Sequence, residues 1–295
     1  MEHNILQNDE HFRVEVIDWH GVKAIRKSLQ STTNERRRLT FQNEIVGTAK
    51  FYEIAEAHQS WGLKVPSIFE SGDSWMIREY LEGEPLCDET TTIEQAHQGL
   101  ERLSTIVAQI DRIEPDEHAA GSFEDSAPYT NITKRFETWA KGPLESNVLI
   151  PAAFQAAKQL IDDFQPYLAP RYAHGDLSPL KHALIDGNGQ ISLFDFEHFS
   201  SQKPRYYDAA YCYSRLLTRV ADRRVAASFL GSFLHSAMPV PHQDEQLLAI
   251  MTQRAIGMHF DALNDRPKGA DYVKRAQEFL QLCLDRDVSK LCTVE

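Results

Sequence analysis

Two carboxylates, Asp176 and Asp195, stand near the ends of one short stretch, HGDLSPLKHALIDGNGQISLFDFEHF, which runs from His174 to Phe199. Inside it, the apolar segments Ala183-Leu184-Ile185 and Ile191-Ser192-Leu193-Phe194 are separated by Asp186-Gly187-Asn188-Gly189. Asp-Gly and Asn-Gly supply the positive φ that a tight hairpin needs, so the stretch is predicted to fold back and bring Asp176 toward Asp195. Like charges at close range are unfavourable unless a cation or a shared proton relieves them. A divalent metal would supply that relief.

The elements that must hold this pair fall into two kinds. Residues 11–17 and 22–29 alternate as strands around the turn Asp18-Trp19-His20-Gly21, and residues 65–69 and 74–80 read as two more strands. Between these pairs, residues 34–57 carry spaced apolar positions and are predicted to form a helix with Glu44 in its middle. The second strand holds Lys23, Arg26 and Lys27, and a period of two puts Lys23 and Lys27 opposite Arg26; solvated charge is the usual role of such residues. After Glu82-Gly83-Glu84-Pro85 the strand signals give way to helical spacing over 92–113, 132–141, 152–167, 209–217, 225–236, 245–263 and 272–284. Residues 116–130, rich in Gly, Ser, Pro and acids, are expected to form a loop beside a cleft. The fold class is therefore α+β: a small strand-rich lobe over 1–85 and a larger helical lobe over 86–295 that contains a lone acidic hairpin.

Composition narrows the function classes. At 295 residues with 42% hydrophobic side chains the chain can bury a large core. No apolar run approaches the roughly 18 residues needed to cross a bilayer, and no membrane partner is expected. The four cysteines show no CxxC spacing, which fits reduced thiols and a cytoplasmic location better than disulfides or zinc. A net charge of −12 argues against nucleic acid and for a neutral or cationic small molecule. Phe123, Phe136 and Trp139 could line its pocket, although aromatics near helices are more often core, and the acids Asp116, Glu117, Glu124, Asp125 and Asp265 could attract it or simply be solvated.

The order His174-Gly175-Asp176-Leu177-Ser178-Pro179, apolar hairpin, Asp195-Phe196-Glu197, then Tyr206-Tyr207-Asp208-Ala209-Ala210-Tyr211, resembles the aminoglycoside phosphotransferase and choline kinase branch of the protein-kinase-like fold. The resemblance spans most of the chain. It implies an enzyme that transfers the γ-phosphate of ATP to a hydroxyl of a small molecule, with Mg²⁺ as cofactor. It implies that Asp176 orients the hydroxyl and takes its proton, and that Asp195 chelates the metal. Lys27 would hold the α and β phosphates and pair with Glu44, with Arg26 as the runner-up. Glu79 to Leu81 would form the hinge that meets adenine, and His174 and Asp208 would buttress the catalytic loop. Loose, in-line phosphoryl transfer asks a protein for positioning and charge stabilisation, which suits such residues.

Two positions depart from the family pattern. The residue five after Asp176, where the family has a metal-binding asparagine, is Lys181, whose ammonium has donors only. Anchoring instead on Ala183-Leu184-Ile185 puts His182 there, with a lone pair to offer but a softer character than Mg²⁺ prefers; this register is favoured. The expected phosphate-covering loop, before or after the first strand, holds no glycine other than Gly21. The competing reading is a kinase-like nucleotide-binding or regulatory module without transfer activity.

Overall fold

Strand β1 (Asn4–Asn8), β2 (Phe12–Trp19) and β3 (Val22–Leu29) begin the chain as an antiparallel meander. His20 and Gly21, at φ 53° and 84°, make the tight turn between β2 and β3, and Asp18 accepts the Gly21 amide at 2.8 Å. Asn34 caps helix α1 (Glu35–Ala57) by accepting the Arg37 amide at 3.1 Å. Then come β4 (Leu63–Lys64), β5 (Ile68–Gly72), β6 (Trp75–Glu79) and β7 (Glu84–Pro85). The large sheet has the order β1-β2-β3-β6-β5. Strand β1 is an addition to the expected lobe: Ile5 and Leu6 are exposed at this edge, so no burial alternation marked it.

The computed structural model describes residues 4–30, 34–115, 128–264 and 269–293. Residues 116–127, most of the expected cleft-side loop with Phe123 and its acids, and Asp265 lie outside the described residues. The second half opens with α2 (Ile93–Ile110), α3 (Pro128–Glu145) and α4 (Pro151–Phe164). Four short strands follow: β8 (Pro170–Ala173), β9 (Ala183–Ile185), β10 (Ile191–Leu193) and β11 (Ser200–Pro204). Helices α5 (Tyr207–Arg219), α6 (Arg224–Ser236), α7 (Gln243–Asn264), α8 (Gly269–Leu284) and α9 (Val288–Leu291) complete it. This is the two-lobe protein-kinase-like architecture, with the main apolar core in the helical part. No helix among the described residues is long and apolar enough to cross a membrane.

The acidic hairpin pairs as its sequence implies, Ile191 with Ile185 and Leu193 with Ala183. It is not alone, however. Strand β4 runs parallel to β10 and β7 antiparallel to β9, giving a four-stranded sheet in the order β4-β10-β9-β7. A second pair, β8 with β11, brackets the hairpin on both sides in sequence. A two-strand hairpin is marginal in water, and β4 and β7 give it the extra pairing that rigidity requires.

Candidate active site

Strand β3 buries Lys27 and leaves Arg26 exposed. The Lys27 ammonium donates to Glu44 Oε2 of α1 at 2.6 Å and to Asp195 Oδ1, just past β10, at 2.9 Å. Burial alone would lower the Lys27 pKa, but the two carboxylates outweigh it and hold the group charged. For Asp195 too, burial raises the pKa while Lys27 pulls it below the ordinary carboxylate range. Burial pushes Glu44 up, against the attraction of Lys27. A fourth charge, overlooked in the sequence, faces the same group. Arg78 on β6 lies 5.6 Å from the Phe194 ring, and burial lowers its pKa while Glu44 and Asp195 raise it. A lone Arg inside an alternating strand carries no signal for this.

Helix α1 fixes Asp195 by gripping the segment after it. Asn43 donates to the carbonyls of Glu197 and Phe199, both at 2.9 Å. A Cβ on Gly47 would overlap Phe199, so only glycine lets α1 approach this closely. Phe51 packs on Phe196 with the rings tilted and their centroids 4.6 Å apart, and full burial of a Phe side chain contributes about 1.5–3 kcal/mol. Asp195 itself sits at φ 69°, a conformation rarely adopted outside glycine, and this contact set holds it there. Asn43 and Gly47 were missed as site residues because mid-helix Asn and Gly have no periodic signature.

Buried Asp208 of α5 accepts the His174 amide at 2.7 Å and the Gly175 amide at 3.0 Å. Burial lifts its pKa to about 6, although those two hydrogen bonds oppose the rise. His174 Nε2 meets the Phe194 carbonyl at 2.9 Å, tying the loop that carries Asp176 to the end of β10, and burial, with His182 nearby, lowers its pKa to about 4. Gly175 sits at φ 85°, where a Cβ would overlap the His198 carbonyl oxygen. Asp176 follows and lines a cavity of about 360 Å³ with His182, Lys181, Asp195 and Glu197.

His182 is buried and Lys181 exposed. His182 Nδ1 lies 2.5 Å from the Asp176 backbone carbonyl, and a carbonyl only accepts. Neutral His182 therefore carries its proton on Nδ1 and turns the Nε2 lone pair toward Asp195 Oδ2, 3.6 Å away. Two acceptors facing each other that closely suit a cation placed between them. Asp176, Glu197 and His198 also offer ligand atoms within 4.8 Å of one another. A donor set dominated by carboxylate oxygen is hard, as Mg²⁺ requires.

The other expected residues do not line this cavity. Glu79 ends β6 opposite Ala24, and its carboxylate pairs with Lys64 at 2.7 Å. Leu81 is buried just beyond, before β7. Phe136 is core, stacked on Phe154 at 5.1 Å. A larger hollow of about 660 Å³, between α2 and the hairpin turn, is lined by Trp61 and Arg102 and by none of Lys27, Asp176, His182 and Asp195.

A lysine shared between a helix carboxylate and a strand-end carboxylate, opposite a loop carboxylate, is the arrangement of an ATP-dependent phosphotransferase with a hydroxyl acceptor, and the comparisons agree on that class. Residues 6–244 match the model of the phosphotransferase enzyme family, and the chain belongs to that family. Among solved structures it is similar to a thermostable mutant of aminoglycoside phosphotransferase APH(4)-Ia in ternary complex with ADP and hygromycin B, at 14% identity and a TM-score of 0.62, over 97% of this chain and 94% of that one. It is also similar to macrolide 2'-phosphotransferase MphH from Brachybacterium faecium, at 15% identity and a TM-score of 0.58, over 94% and 91% of the two chains. Plasmodium vivax ethanolamine kinase aligns at 13% identity and a TM-score of 0.55, over 96% of this chain and 81% of that one. At such identities the likeness establishes the fold. No curated protein matches the chain in sequence.

Proposed function

We propose that the protein transfers the γ-phosphate of ATP to a hydroxyl of a small molecule, using residues 1–85 to hold the nucleotide and 86–295 to present the acceptor. The observation that carries this reading is the shared lysine: Lys27 reaches Glu44 and Asp195 at once, so β3, α1 and β10 are locked in one geometry. In it, Lys27 neutralises the α and β phosphates, and the backbone from Glu79 to Leu81 meets adenine. Asp176 accepts the acceptor's proton as its oxygen attacks the γ-phosphorus. Asp195 and His182 would hold Mg²⁺, which when bound offsets the charge of the transferring phosphoryl group. His174 and Asp208 position Asp176 from behind.

The neighbours named above bind or act on aminoglycosides, a macrolide and ethanolamine, and all of these acceptors carry hydroxyls. The buried free thiols Cys87, Cys212 and Cys283 support a reducing, cytoplasmic setting. Thermal unfolding with ATP and MgCl₂ tests the reading: wild type gains stability that Lys27→Ala and Asp195→Ala lose, and no nucleotide-dependent gain in wild type would overturn it.

One observation favours the second reading, a nucleotide-binding module without transfer. In the turn between β1 and β2, Asp9 already accepts the His11 and Phe12 amides at 2.7 and 2.8 Å, amides that a phosphate-covering loop would otherwise present to the nucleotide. Binding without turnover on a broad acceptor panel would select this alternative.

A further inference from the structure

Helix α5 reaches the loop that carries Asp176 with two side chains. The first, Asp208, holds the His174 and Gly175 amides and so fixes the backbone on which Asp176 stands. The torsion that turns an Asp carboxylate is broad, however, and a rigid backbone alone does not decide where its two oxygens point. The second side chain is Tyr211, three residues after Asp208 and therefore on the same side of the helix. It lines the cavity beside Asp176, and its hydroxyl hydrogen-bonds the Asp176 carboxylate.

Tyr211 is itself held from behind. Its ring is buried, with the guanidinium carbon of Arg215 at 4.9 Å from the ring centre and that of Arg254 of α7 at 4.4 Å. Arg215 also donates to the Tyr211 hydroxyl at 2.6 Å and to Asp261 of α7 at 3.1 Å. A guanidinium has donors only, so the Tyr211 oxygen accepts from Arg215 and its single proton is left for Asp176, whose ionised carboxylate only accepts. The hydrogen-bond chain therefore has one polarity, from Arg215 through Tyr211 to Asp176, with Asp261 anchoring its far end. Burial first, and then the Asp176 charge, hold the Tyr211 pKa above its ordinary value, so the hydroxyl keeps the proton that it donates.

Resting on the phosphotransferase reading, we infer that Tyr211 is a positioning residue for transfer: its hydroxyl, held by Arg215 and through it by Asp261, binds one oxygen of Asp176 and leaves the other to face the substrate hydroxyl. Tyr211 gives up no proton in this role and acts through Asp176 alone. A general base works only within hydrogen-bond reach of the proton it takes and in a fixed orientation, which is what the chain from α7 and α5 supplies. Hydrogen bonds to a charged group are also the stronger kind, so the carboxylate is held more firmly than a neutral partner would be.

Two measurements test this, and the first needs no substrate. In protein carrying ¹³Cζ-labelled tyrosine, the Tyr211 NMR signal is assigned by its loss in Tyr211→Phe. It is expected to move upfield in Asp176→Ala, because the hydroxyl loses the carboxylate to which it donates; a signal that stays in place would overturn the inference. The second measurement is steady-state kinetics with ATP, MgCl₂ and the hydroxylated small molecule that wild type labels best from a panel. Tyr211→Phe is expected to lower kcat about tenfold, the loss of one hydrogen bond to a charged group, while both KM values change by less than about threefold. In an Asp176→Ala background the same substitution should change little, since both act at one carboxylate. An unchanged kcat, a rise confined to KM, or an equal loss in the two backgrounds would overturn the inference. Should thermal unfolding show that Tyr211→Phe does not fold, Arg215→Met decides by the same split between kcat and KM, because it leaves the hydroxyl present but unheld. No labelled acceptor from wild type would instead overturn the phosphotransferase reading, and the ¹³Cζ signal reports the Tyr211 bond separately, so the two failures are distinguishable.

Discussion

The two sides of the cleft handle buried charge in opposite ways. Between β3, α1 and the end of β10, Lys27, Glu44 and Asp195 close on one another at 2.6 and 2.9 Å, each ion satisfied by its neighbour. On the other side, Arg215 of α5 and Arg254 of α7 lie 4.9 and 4.4 Å from the Tyr211 ring, and Arg215 also pairs with Asp261 at 3.1 Å. The first arrangement is complete before any ligand arrives and sets geometry. The second packs its guanidinium groups on the faces of one aromatic ring. Breaking a paired charge should therefore damage both fold and activity, whereas removing a ring-stacked guanidinium should cost less.

The largest effect is expected at the closed triad. Lys27→Met strands Glu44 beside Asp195, and removing one partner of a buried ion pair costs about 3–5 kcal/mol; chemical denaturation measures it, and a loss below about 1 kcal/mol would show that the triad is not mutually dependent. Next is the loop support. Asp208→Ala leaves the amides of His174 and Gly175 without an acceptor, a loss of about 1–3 kcal/mol for each unsatisfied buried group, and Asp208→Asn restores part of it. His182→Ala should weaken metal-dependent nucleotide binding about tenfold to a hundredfold, as removal of a ligand or its support does elsewhere, while Lys181→Ala leaves it nearly unchanged. The reverse pattern would move the metal site to the other register.

The smallest effect is a pH slope. His174 has its pKa lowered to about 4 by burial, so the unfolded chain binds a proton between about pH 6.5 and 4 that the folded chain refuses. Its stabilisation is thus complete above pH 6.5 and lost as pH falls toward 4. Asp208, raised to about 6, runs the other way: its folded form holds a proton through a range where the unfolded carboxyl has lost it, so its contribution falls as pH rises from about 4 to 6. The opposed slopes should flatten the wild-type stability curve in this window. His174→Gln, which removes one of them, should make stability fall more steeply as pH rises from 4 to 6.

What the sequence revealed follows the same division. The Lys27–Asp195 side was legible because its residues lie in ordered local motifs, each beside an apolar strand whose period of two or turn dipeptide is visible. Asp195 at the end of Ile191–Phe194 is the plainest case. Support from afar was not legible. Strands β8 and β11 are short, contain Pro170 and Pro204, and exist only because they pair with each other across the hairpin. Strand β7 is two residues long and becomes a strand only against β9. Asn43 and Gly47 matter because segment 196–199 packs on α1, a contact that no local pattern encodes. Arg254 was hidden more deeply: α7 is buried on all sides from Gln246 to His259, so its polar residues could not be told from a solvated face.

Phosphoryl transfer itself is the property to measure. Incubation with γ-³²P-labelled ATP and MgCl₂ across a panel of anionic, neutral and cationic hydroxylated small molecules reads it directly. Wild type is predicted to label at least one acceptor, and Asp176→Ala to reduce that labelling by about a hundredfold to ten-thousandfold, the usual contribution of a positioned general base. No labelled acceptor from wild type, or equal labelling by Asp176→Ala, would contradict it.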